Sequence, residues 1–271
     1  MLKCEKTSVT GIDAAIRGMR NALNSWDKAD SDSGFATRDI VSDRINTFVN
    51  NILLKEFTED EVFNYGREVD DRYWQLFNLY QDNCLLENKD GVYSYFFLGQ
   101  NDLKLAKKLS AAGPDHGKFL RQIGVSVDIT APLYWWKEFD TYKVGTTANS
   151  TSTMHKLATT PINIDCFSFD GMLEGIKDPD WLTDLYTVMV ICEQTRRKYL
   201  ETKNEAYWRR LIQLLPNAWN QTRTVTLNYA VLKNMYNARK NHKLNEWHTL
   251  CAWIEQLPYA KELILNESTH H

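Results

Sequence analysis

The stretch LNYAVLKNMYNARK, residues 227–240, concentrates groups able to recognise a polar heterocycle. Asn228, Asn234 and Asn237 each offer an amide donor and acceptor, and Arg239 a planar guanidinium suited to carbonyl oxygens and anions. Leu227, Val231, Leu232 and Met235 recur between them at helical spacing, which predicts a helix over 219–241. Asn228 and Arg239 would then fall within about 20° of one face and about 16 Å apart along the axis. One face could touch two ends of an extended ligand, or two ligands side by side. Asn234 would point about a third of a turn away. The plain alternative is a helix with exposed amides whose Arg239 opposes the partial negative charge of its C-terminus.

A second cluster is the run TTANSTSTMHKL. Its consecutive hydroxyls suit a phosphate, and equally suit a helix cap or local turns. GPDHGKFLRQ adds His116, Lys118 and Arg121, with His116 also readable as a turn residue. Arg196, Arg197, Arg209 and Arg210 read as a solvated face. The sequence has no Ser-His-Asp order, Walker loop, G-x-G-x-x-G or H-E-x-x-H, so those mechanisms lack support.

The elements that must hold these groups are mostly helical. Periodicity predicts helices in SVTGIDAAIRGMRNAL, SDRINTFVNNILLKEF and EDEVFNYGREVDDRYWQLFNLYQ. NKDGVYSYFFL reads as a hairpin arm turning at Asp90-Gly91. NDLKLAKKLSAAG reads as a helix capped by Asn101 or Asp102 and stopped at Gly113. FLRQIGVSVDIT alternates as a strand. Pro132 opens a helix, APLYWWKEFDTYKV, capped by Thr130 or Ala131 and ended by Gly145. Further helices are expected around 181–203, 204–215 and 244–257. The expectation is an α+β fold, helix-rich around one central, mainly antiparallel sheet, with 1–271 as a single domain.

Bulk properties narrow the partners. A net charge of −3 and a pI near 6.1 argue against a broad nucleic-acid footprint. No run approaches the roughly 20 apolar residues that span a bilayer, and MLKCEKTSVTGIDAAIRGMR lacks the pattern of a signal peptide. Five scattered cysteines without a C-x-x-C pair predict a reducing cytoplasm, no disulfide framework and no structural zinc. The N-x-[ST] matches at Asn149, Asn220 and Asn266 are then not glycan sites.

Taken in order, these segments resemble the flavin-dependent thymidylate synthases from about residue 104 to 257. AAGPDHGKFLRQIGVSVDITAP is similar to the family's G-H-x-x-P-F-E-H segment, strand and Ala-Pro. ANSTSTMHKL resembles its N-E-x-S-x-R-Y segment, with Asn149 and Ser152 in register, and LLP at 214–216 matches a Leu-Pro. TLNYAVLKNMYNARK keeps the family's Thr, two Asn and Arg as Thr226, Asn228, Asn234 and Arg239, and LNEW at 244–247 resembles the A-Q-W that follows. Residues 45–100 have no counterpart and read as a family-specific helical and hairpin insertion.

The resemblance implies a fold of the thymidylate-synthase-complementing type, assembled as a cytoplasmic homotetramer. It implies methylation of dUMP or a related pyrimidine nucleotide with FAD as cofactor, and NADPH and methylene-tetrahydrofolate as co-substrates. Arg239 would be catalytic, holding the pyrimidine ring. Asn228, Asn234, Lys143 and His116 would contact the cofactor, and Ser150, Thr151, Ser152 and Glu138 the substrate. No metal, membrane or nucleic-acid partner is implied.

The departures concern charge. Thr141-Tyr142-Lys143 stands where the family has Arg-His-Arg, Ser150 replaces its glutamate, Met154 an arginine and Ile212 another. The pyrimidine-binding arginine survives while the phosphate-binding ones do not. Each lost charge-assisted hydrogen bond is worth roughly 1.5–3 kcal/mol. Three readings follow: a divergent enzyme, a homologue that binds or senses a nucleotide without flavin chemistry, and an assembly protein whose aromatics, such as Trp135 and Trp136, serve oligomer contacts.

Overall fold

A computed structural model describes residues 2–58, 61, 66–84, 86–87, 91–169 and 180–265. The chain runs through β1 (Lys3–Thr10), α1 (Ile12–Met19), β2 (Asp32–Thr37), α2 (Arg38–Glu56), α3 (Gly66–Cys84), β3 (Leu86–Glu87), β4 (Val92–Phe97) and α4 (Gln100–Ala111). It continues with β5 (Gly124–Pro132), α5 (Leu133–Phe139), β6 (Thr147–Ser150), α6 (Thr153–Lys156), α7 (Asp180–Thr202) and α8 (Glu205–Leu214). Last come β7 (Asn220–Asn228), α9 (Tyr229–Arg239) and α10 (Asn245–Glu255). The fold is α+β and helix-rich. It divides into two compact units, the first made of Met1–Ser8, Val125–Leu227 and Ala238–Trp253, the second of Val9–Gly124, Asn228–Asn237 and Ile254–His271.

The first unit carries a four-stranded sheet in the order β1-β5-β7-β6. In β5, Val125, Val127, Ile129 and Ala131 point to the core, as the alternation predicts. The opposite face is a row of hydroxyls: Ser126 meets Thr226 at 3.1 Å, and Thr130 meets Thr222 at 2.7 Å. Between them Thr224 donates to Asp128 at 2.6 Å. β6 runs antiparallel to β7, from Thr147 opposite Thr226 to Ser150 opposite Arg223. Helices α7 and α8 pack together over Cys192, Leu211 and Trp219.

In the second unit a three-stranded sheet, β2-β4-β3, joins α2 and α3 around Val41, Ile45, Val49, Leu76, Tyr80 and Phe97. The hairpin arm is therefore present. Its Asp90 lies outside the described residues, while Gly91 has φ 71. Gly11 opens α1 at φ 80, where a side chain would meet the Gln122 carbonyl oxygen at 2.4 Å, so only glycine fits. A buried ion pair holds α1 to α4: Arg20 Nε donates to Asp102 Oδ1 at 2.5 Å.

Several local expectations are corrected. Residues 219–241 are not one helix; Thr222, Thr224 and Thr226 alternate with Gln221, Val225 and Leu227, and that period of two makes 220–228 a strand. Residues Gly117–Gln122 form a 3-10 turn with Phe119 and Leu120 buried, so β5 begins later than FLRQIG suggests. The α4 cap is neither Asn101 nor Asp102 but Gly99, and the Asp30 carboxylate accepts from both their N–H groups, at 3.0 and 3.1 Å. β5 runs through Thr130 and Ala131 to Pro132, itself the α5 cap, and α5 ends at Phe139, before Gly145. Two N-terminal strands, β1 and β2, lie where helices dominated the expectation.

Candidate functional site

Short helix α5, LYWWKEF, buries Trp135, Trp136 and Phe139 and leaves Glu138 half-exposed at its end. The Glu138 carboxylate is a hub. Its Oε2 accepts from Arg239 NH1 at 2.9 Å and from Trp247 Nε1 at 3.0 Å, and lies 3.4 Å from His242 Nε2. His242 Nδ1 accepts the Leu244 N–H at 3.1 Å, so in the neutral ring the proton sits on Nε2, facing Glu138.

Arg239 is fixed from several directions. Its Nε donates to the Tyr142 hydroxyl at 2.9 Å, and its guanidinium carbon lies 4.6 Å from the Trp247 ring centroid and 5.6 Å from that of Tyr142. Both are cation–π distances, and the buried indole makes the contact a desolvated one. A guanidinium has five N–H donors; NH2 has no partner among the described residues. The group is thus oriented by a carboxylate, a phenol and an indole, with donors left for carbonyl or anionic oxygens.

The indoles continue inward. Trp247 lies 4.9 Å from Trp135, which lies 4.9 Å from Trp136. Trp135 Nε1 is buried without a partner among the described residues. Tyr134 donates its hydroxyl to Glu246, tying α5 to α10.

The hydroxyl-rich run behaves as a ladder edge and a cap. Ser150 closes β6, the Thr151 N–H donates to the Thr222 carbonyl at 2.9 Å, and Ser152 Oγ accepts the His155 N–H at 3.1 Å. Those two N–H groups are spent, although the Ser150 and Thr151 side chains are exposed. Lys143, beyond α5, is exposed.

Asn228, Asn234 and His116 belong to the second unit. Asn228 is the residue before α9 and its Oδ1 accepts the Val231 N–H at 3.1 Å, so it caps the helix instead of lying on its face. Asn234 and His116 are exposed. His116 borders a cavity of about 740 Å³ lined by Met19, Leu23, Leu105 and Leu109.

Of the residues singled out by sequence, Arg239 and Glu138 are therefore in direct contact, and Ser150, Thr151 and Ser152 are contiguous. Tyr142, His242 and Trp247 were not foreseen as its partners. Trp247 had a signal in the matched LNEW, and Tyr142 stands one helical turn after Glu138. Among the described residues no group of three or more His, Cys, Asp or Glu side chains is arranged for a metal ion. None of the described helices is long and apolar enough to cross a membrane.

Fold and site together define a helix-rich α+β protein with a guanidinium held by a carboxylate and a phenol and lying against an indole. Among solved structures it is similar to the flavin-dependent thymidylate synthase ThyX from Helicobacter pylori complexed with FAD and dUMP. That likeness has 16% identity over 87% of this chain and 97% of that one, with a TM-score of 0.46, and a second structure of that protein with FAD and dUMP gives the same figures. A UMP/dUMP methylase, PolB from Streptomyces cacaoi, bound with 5-Br UMP, is similar at 13% identity over 62% of this chain and 85% of that one, with a TM-score of 0.46. No protein-family model matches the chain, and no curated protein matches it.

Proposed function

We propose that this chain binds a pyrimidine mononucleotide at Arg239 and methylates its ring reductively, as a divergent protein of the flavin-dependent thymidylate synthase kind. The substrate is dUMP or a related nucleotide, methylene-tetrahydrofolate the carbon donor and NADPH the reductant. The observation that carries this reading is the Arg239 cluster: the one arginine kept at family spacing is also the one oriented by Glu138, Tyr142 and Trp247. Its remaining N–H donors suit the ring carbonyls and the negative charge that develops on them, and the Trp247 indole lies against the guanidinium. Glu138 fixes the guanidinium, and His242 Nε2, 3.4 Å from that carboxylate, adds a further polar group to the same hub.

Taken one by one, the residues assigned to the cofactor carry donors of the kind a flavin dinucleotide accepts. Asn228, its Oδ1 committed to Val231, keeps its amide N–H donors, and Asn234, Lys143 and His116 present exposed donors for carbonyl and phosphate oxygens. FAD, when bound, supplies the hydride. The homotetramer belongs to the same proposal, and light scattering tests it.

A second reading, nucleotide binding without flavin chemistry, is favoured by Tyr142. This residue, at the middle of the altered signature, spends its hydroxyl on Arg239. The absorption spectrum and NADPH consumption separate the two. Flavin bands in the purified or FAD-supplemented protein, with NADPH oxidation that rises on adding dUMP, support the enzyme. A protein that stays colourless with FAD but binds dUMP by calorimetry leaves only the second reading, and one that binds neither sinks both.

A further inference from the structure

Thr141, Met154 and Ile212 stand where the resemblance implies arginines, and none of them offers a guanidinium for a nucleotide phosphate. We infer that Arg223 supplies it, and that Arg223 and Ser150 together form a phosphate-monoester subsite on β7 and β6. This rests on the nucleotide reading above and deepens it.

The ladder register sets Ser150 directly opposite Arg223. Opposite residues of an antiparallel pair share a face, so the exposed Ser150 and the Arg223 side chain leave the sheet on the same side. The companions of Arg223 on that face of β7, Gln221, Val225 and Leu227, are buried, which makes a charge there unusual. It is held on three sides. Its guanidinium carbon lies 4.1 Å over the Trp136 ring, Nε donates to Gln221 Oε1 at 3.0 Å, and NH1 donates to Asp140 Oδ1 at 2.7 Å. Gln221 is fixed in turn, its Nε2 donating to the Thr151 carbonyl at 2.9 Å. NH2 has no partner among the described residues.

Such a group is oriented before any anion arrives, and a phosphate offers acceptors matched to the guanidinium fork. Among the described residues Asp140 is the only acid on it, and that side chain is 53% exposed. An ion pair with so exposed a partner is weak. The carboxylate turns to water when a dianion takes its place. The opposite face of β7 carries no comparable group, since Thr222, Thr224 and Thr226 meet Thr130, Asp128 and Ser126.

Calorimetry of the full chain with dUMP, deoxyuridine and inorganic phosphate tests the subsite. The wild type is expected to prefer dUMP to deoxyuridine by about 10- to 100-fold, the range of one charge-assisted bond. Arg223→Gln should erase that preference and leave deoxyuridine binding unchanged. Asp140→Asn should tighten dUMP several-fold without affecting deoxyuridine, a gain that a merely structural ion pair would not give. A preference that survives Arg223→Gln in a folded protein, or dUMP binding weakened by Asp140→Asn, overturns the inference even if Arg239 still governs nucleotide binding. Arg223-dependent binding of inorganic phosphate and dUMP alike, with no affinity for deoxyuridine, upholds the subsite and sinks the pyrimidine reading instead.

Discussion

Replacing Glu138 by alanine tests whether the hub orders the Arg239 cluster. The substitution removes the acceptor for the indole N–H of Trp247, a residue with no exposed surface, and for one guanidinium N–H. Leaving a buried donor unpaired costs about 1–3 kcal/mol. The Arg239 bond is partly solvated, so its loss adds less than about 1 kcal/mol. Together these give about 1–4 kcal/mol, or a fall in Tm of about 2–16 °C at roughly 2–4 °C per kcal/mol for a chain of this size. Glu138→Gln keeps an amide oxygen for the indole and loses only the charge, so it should fall by about 1 kcal/mol. Thermal melts followed by circular dichroism, with urea titrations alongside, measure both. A Glu138→Ala protein that melts with the wild type refutes the reasoning. So does a glutamine variant that falls as far as the alanine one, because the buried indole would then not be the main term.

Two further outcomes follow from the charge pairs. Asp102→Asn strands the buried Arg20 guanidinium and weakens the acceptor for the Asp30 and Ser31 N–H groups, at 3.1 and 3.0 Å. It should cost about 3–5 kcal/mol in urea titrations. The hydrogen bond from Arg196, with help from the Ile162 N–H and Arg197, holds the Glu193 carboxyl down at about 2, against burial that raises it. A carboxylate lowered on folding contributes stability above its unfolded pKa of 4.5 that is lost as pH falls toward 2. Glu193→Gln should therefore flatten the acid limb between those values and lower neutral stability by on the order of 2 kcal/mol, read from chemical denaturation across that pH range.

The helices over 38–56 and 205–214 and the core face of β5 were legible because their apolar residues keep one period throughout. The segment 220–228 was not. Its alternating threonines carry a strand signal, but the Leu, Val and Met residues just downstream extend a helical pattern backward across it. Asn228 was assigned to a helix face on that account, and it is a cap because the helix starts one residue later. The Glu138–Arg239 contact joins residues 101 apart in sequence. No local spacing announces such a pair, and the resemblance marks Tyr142 only as a departure from the signature, whereas its hydroxyl lies on the same guanidinium.

The row of indoles, Trp247, Trp135 and Trp136, ends in one arginine on each side, Arg239 over Trp247 and Arg223 over Trp136. Rings whose centroids stand 4.9 Å apart share their electronic excitation, so the row absorbs circularly polarised light as a coupled set. The protein thereby carries an optical gauge with a cation at either tip. A ligand bound at Arg239, as proposed, would perturb those bands from the Trp247 end and one bound at Arg223 from the Trp136 end, so unlabelled protein would distinguish the two.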